Sequence, residues 1–99
     1  MNQPISPSRL LSRFVAYRVA LEAFGLVAVA TKRWRGWAHL VDQACRAASS
    51  VTNNLAEGNA HPPDSAERRR YRRIALASAL ELEAALDNAA VAEASAMRR

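Results

Sequence analysis

A chain of 99 residues holds a single domain, and at this size a lone core is thin enough that self-association is expected. Apolar residues make up 51% of the chain, but many are alanine, which buries little area per residue and makes the fold depend on close helix approach. The net charge of +5, with 13 of 14 cations being arginine, suits a polyanionic partner, nucleic acid above all, or simply a basic protein from an arginine-favouring genome.

Cys45 stands alone, so an intrachain disulfide and a cysteine-based zinc site are excluded. His39 and His61 are far apart with no ligand-like spacing, so neither a metal nor a cofactor is expected. Met1 to Arg9 lacks the pattern of a secretory signal. The apolar-rich stretch from Leu10 to Ala30 is interrupted by Arg13, Arg18 and Glu22, which argues against a membrane span and makes the cytoplasm the expected location. Long runs of Val, Ile and Thr are absent, so no sheet is predicted.

In chain order, Ser6 and Pro7 form a plausible cap and first-turn pair for a helix over about residues 8–31. Its apolar face comprises Leu10, Phe14, Tyr17, Leu21, Phe24 and Ala28, spaced alternately four and three. A second helix is predicted over about 37–57, with Leu40, Ala44, Ala47, Val51 and Leu55 inward and Gly58 as a left-handed cap. Pro62-Pro63 cannot continue it, so Asn59 to Pro63 reads as a loop. A third helix, over about 64–97, starts at Asp64 with Glu67 completing a capping box. It carries Tyr71, Ile74, Ala75, Ser78, Leu82, Ala85, Leu86 and Ala89 on one side.

The second helix bears an unusual stripe beside its apolar face. Gln43, Arg46, Ser50, Asn54 and Glu57 are spaced three, four, four and three apart, so they stack along one face. Such amides and hydroxyls make short directed hydrogen bonds, and Ser78, Glu81 and Glu83 of the third helix are candidate partners. A partly buried Arg46 would need a carboxylate. The stripe reads as a polar network fixing helix register within or between subunits; the competing reading is a ligand or catalytic site.

Here the sequence resembles a family. Gln43, Arg46-Ala47-Ala48, Ser50-Val51 and Asn54-Leu55-Ala56-Glu57-Gly58 are similar to the signature of the four helix bundle, or ribosomal-RNA-intervening-sequence, family. Glu67, Tyr71, Ile74-Ala75, Ser78 and Glu81-Leu82-Glu83 resemble its second block, at the right distance from the first. The resemblance covers about residues 15–90. It implies an all-α, antiparallel up-down bundle without catalytic activity. The family is similar in role to accessory proteins of diversity-generating retroelements, which form pentameric, ring-like assemblies, bind nucleic acid and associate with a reverse transcriptase. By that resemblance a homopentamer with RNA or DNA, and a reverse transcriptase, are the implied partners. Three departures stand out. Ala77 replaces a family glycine, Asn59 to Pro63 replaces a glycine-rich basic turn, and the chain stops at Arg99, where the family usually continues into a fourth helix. Either the third helix breaks near Asn88 or this is a three-helix version.

Two basic clusters remain. Arg68-Arg69-Arg70-Tyr71-Arg72-Arg73 opens the third helix, where the macrodipole disfavours cations. That placement hints at a purpose beyond helix stability. Arg68, Arg69, Arg72 and Arg73 are therefore candidate phosphate contacts, or else partners of Asp64, Glu67 or a neighbouring subunit. Lys32, Arg33 and Arg35, interleaved with Trp34 and Trp37, form the second candidate contact set, with at least one tryptophan expected to cap the core. No enzyme constellation is present: Ser49-Ser50 lacks a histidine at a suggestive position, and Glu81 and Glu83 fall on different helix faces. A nucleic-acid-binding accessory protein and a pure protein scaffold are the two functional readings.

Overall fold

The computed structural model describes residues 15–34 and 36–97. All regular structure among them is helical: α1 (Val15–Ala30), a short 3-10 turn (Thr31–Arg33), α2 (Ala38–Asn59) and α3 (Ala66–Met97). The expected start of the first helix, with Ser6, Pro7, Leu10 and Phe14, lies outside the described residues. Where α1 is described, Val27 is buried and Phe24 packs against the core, while Tyr17, Leu21 and Ala28 are half-buried.

Alanine dominates the interior. Val27, Ala44, Ala48 and Ala85 form the central cluster, flanked by Phe24, Trp34, Cys45 and Leu82. Small side chains let α2 and α3 approach closely, and these two helices share the main packing interface; α1 rests on α2. Gly58 lies against Tyr71, Ser50 against Ser78, and Ala44 and Ala48 share the cluster with Ala85. Trp34 packs on this core, as a tryptophan between helices was expected to do, whereas Trp37 is 45% exposed.

Two local expectations need correction. Gly58 is not a left-handed cap. It sits within α2, buried, and the one described glycine with positive φ is Gly36 (φ 81°), just before α2. Asp64 does not cap α3; Ser65 does, its Oγ accepting from the Arg68 backbone N–H at 3.1 Å while donating to the Pro62 carbonyl at 2.7 Å. The same Pro62 carbonyl also accepts the Ser65 backbone N–H at 3.0 Å, which fixes the cap residue in place. Ala77 is exposed, so its extra methyl touches no helix contact; the close approach falls at Gly58 instead. α3 runs unbroken through Asn88 to Met97, so the third helix does not break near Asn88.

Candidate nucleic-acid interface

The arginine run at the start of α3 divides into side chains with different work. Arg68 is half-buried and turns back toward α2. Its Nε donates to the His61 carbonyl at 3.0 Å, and its Nη2 donates to the same oxygen at 2.6 Å and to the Asn59 carbonyl at 3.2 Å. The last carbonyls of a helix have no partner within it, and the macrodipole makes that end negative. Backbone N–H groups of Ala60 and His61 take the Glu57 and Gly58 oxygens at 3.1 Å, and Arg68 takes that of Asn59, the last residue of α2, together with that of His61 two residues beyond it. A cation at the unfavourable end of α3 therefore has its charge at the favourable end of α2. Its position is explained by helix capping, a cause that the sequence pattern does not display.

Arg69 and Arg73 lie four residues apart on α3 and are exposed. Arg69 donates from Nη1 to the Asp64 carbonyl at 2.8 Å, which steadies it beside the loop without neutralising it. Arg70 stands 5.6 Å from the centre of the Tyr71 ring, and the other aromatic neighbour is His61, stacked at 5.5 Å and 11° between planes. Arg72 is exposed too, but it borders an apolar groove that also contains Leu76 and Val51. None of these arginines has a carboxylate within 4 Å among the described residues, where the ion pair found is Arg46–Asp42.

Lys32 and Arg33 are exposed on the 3-10 turn, and Arg35 lies outside the described residues. Arg33 borders a pocket with Trp34, Trp37 and Met97, at the far end of α2 from Gly58. The 22 residues of α2 span about 33 Å, so the two basic clusters do not form one patch.

The polar stripe is only partly a network. Ser50 Oγ and Ser78 Oγ are 2.7 Å apart, and Asn54 Nδ2 donates to the Ser50 carbonyl at 2.8 Å and to its Oγ at 3.0 Å. These three tie α2 to α3 beside the core. Gln43, Arg46, Ser50 and Glu81 border an open groove of about 420 Å³ with an alanine floor. Arg46 is exposed and pairs weakly with Asp42 on its own helix at 3.4 Å, so it needs no carboxylate from α3. Glu57 and Glu83 are exposed and join neither the network nor this groove. Ser78→Ala should lower stability by about 1 kcal/mol, because Ser50 keeps Asn54 as a partner; urea unfolding measures it. Thr52, buried with its Oγ1 donating to the Ser49 carbonyl at 2.9 Å, escapes sequence reasoning because its bond is local.

A family model described as 23S rRNA-intervening sequence protein matches residues 16–95. The chain belongs to this family. The match takes in all of α2, nearly all of α1 and α3, and both motif blocks quoted above. Comparison with curated proteins and with solved structures gave no match. For this member of the 23S rRNA-intervening sequence protein family, no helix among the described residues is long and apolar enough to cross a membrane. No cluster of three or more His, Cys, Asp or Glu residues suited to a metal ion occurs among them either.

Proposed function

We propose that this chain is a self-assembling, antiparallel helical-bundle subunit, without enzymatic activity, that holds RNA or DNA through the exposed arginines of α3. The observation that carries the reading is the pair Arg69 and Arg73: two neighbouring, exposed guanidinium groups with no carboxylate within 4 Å among the described residues, in a protein of net charge +5. Phosphates neutralise such groups and release counterions, with little regard for sequence. Arg68 leaves the contact set because it caps α2, while Lys32 and Arg33 would add a second, separate phosphate contact. Assembly multiplies these contacts, and a ring with a reverse transcriptase as partner is the arrangement the family resemblance favours.

A scaffold that binds only protein is the second reading, favoured by the structural employment of Arg68 and the apolar setting of Arg72. Fluorescence anisotropy with labelled single-stranded RNA and duplex DNA at low salt separates the two. The double variant Arg69→Ala/Arg73→Ala should bind at least about tenfold more weakly while keeping its helical circular dichroism and its particle mass. Unchanged affinity would overturn the assignment of these two residues.

A further inference from the structure

Two apolar surfaces are left uncovered by the packing of the described residues. The first is the outer face of α1, where Val15, Val19, Leu26 and Val29 are between 59% and 73% exposed. Their steps of four, seven and three place them in one stripe, with exposed Glu22 in the middle. The second is a groove of about 470 Å³ between α1 and α3, lined by Ala20, Ala23, Val51, Leu55 and Leu76, with Arg72 as its charged member and Val19 of the stripe on its rim. α1 and α3 each pack on α2 and scarcely touch one another, so among the described residues the groove is an open side of the bundle.

We infer that the groove of one copy receives the outer stripe of α1 from the next, with Glu22 of the incoming helix meeting Arg72 of the receiving copy. The inference rests on the self-assembly in the proposed function and names the surfaces and the charges that perform it. Shape, polarity and charge all agree on a second copy as the occupant. The stripe is apolar with Glu22 at its centre and exposed Arg18 one turn away at its edge; the groove is apolar with Arg72 as its charged member; both belong to the same chain. Neither Glu22 nor Arg72 has an ion-pair partner among the described residues. Alanines in the groove wall admit a helix at close range. Leaving this much apolar surface in water is costly for a chain whose buried core is mostly alanine. Stripe and groove adjoin along Val19 but are not the same surface, so the contact is head-to-tail: each copy offers one of each, and the run of contacts continues past a dimer, as a ring where the rotation closes and as a filament where it does not.

Light scattering on the full chain at micromolar concentration tests this with a charge swap. Glu22→Arg and Arg72→Glu singly should each weaken assembly by about tenfold or more, since each opposes like charges in a desolvated contact. The double variant should regain the wild-type mass. Leu26→Asp should also dissociate the particle while its helical circular dichroism persists. Single variants that assemble as the wild type does, or a helical double variant that stays dissociated, would overturn the inference. In that case a wild-type particle of unchanged mass would leave self-assembly standing on another surface. A wild-type chain that is monomeric would remove both; a particle that stops at two copies would overturn the head-to-tail contact alone.

Discussion

Replacing Gly58 with alanine should lower the thermal midpoint, although alanine is ordinarily the better helix former by about 1 kcal/mol. A Cβ at this position would stand 3.0 Å from the Tyr71 Cβ and 3.4 Å from the Arg68 carbonyl oxygen. Neither atom is the free end of a flexible side chain, so α2 and α3 would have to separate. Overpacking of this kind costs about 1–3 kcal/mol, which outweighs the propensity gain near a helix end. At roughly 4–8 °C per kcal/mol for a domain of this size, the loss is easily read by thermal circular dichroism. Gly58→Leu, with three more carbons to place, should leave the chain largely unfolded. Gly25→Ala is the matched control, because a Cβ there meets nothing within 4 Å and the site is exposed on α1. It should raise the midpoint. Equal responses at the two glycines would show that the close approach at Gly58 is not a constraint.

Arg68→Ala should be the most destabilising change in the arginine run. It removes three charge-assisted hydrogen bonds and leaves the Asn59 and His61 carbonyls without the donor that now satisfies them. A loss of about 1.5–3 kcal/mol is expected, read as a lower urea midpoint at unchanged slope. Arg68→Lys should recover little, because one ammonium cannot reproduce the fork that reaches two carbonyls. Arg73→Ala should shift stability by no more than about 0.5 kcal/mol, since that side chain is exposed and has no hydrogen bond among the described residues. A neutral Arg68→Ala would contradict the capping role.

These two residues also show where the sequence is legible and where it is not. Helix number, helix type and most inward positions follow from the spacing of apolar side chains, since Ala44, Ala47, Ala75, Ser78, Ala85 and Ala89 are all buried on the faces that the periodicity selects. Leu86 is the exception, 37% exposed: α3 has more apolar residues than the single contact with α2 covers. The Asn54–Ser50–Ser78 chain of hydrogen bonds was also within reach, because helical spacing aligns Ser50 with Asn54 and a hydroxyl on the facing helix extends it. What spacing does not give is the identity of a partner across a loop. Arg68 reads as one of five equivalent arginines, and only the turn made by residues 60–65 brings it to the end of α2. Gly58 has the same ambiguity, since a glycine after a helical run suits either a left-handed turn or a crossing point. The tertiary contact with Tyr71 decides between them. Arg46 reads as an edge-of-core residue by position, yet its long side chain reaches solvent and Asp42.

The most direct test of the central claim is the salt dependence of nucleic-acid binding by the wild-type particle, with its absolute mass measured in the same buffers. The account predicts binding to both single-stranded RNA and duplex DNA at low salt. Affinity should fall linearly on logarithmic axes as salt rises, and the slope should become shallower by about two per engaged copy when Arg69 and Arg73 are alanine. A stable assembly that ignores both nucleic acids even at low salt would contradict it and leave a scaffold whose partner is protein.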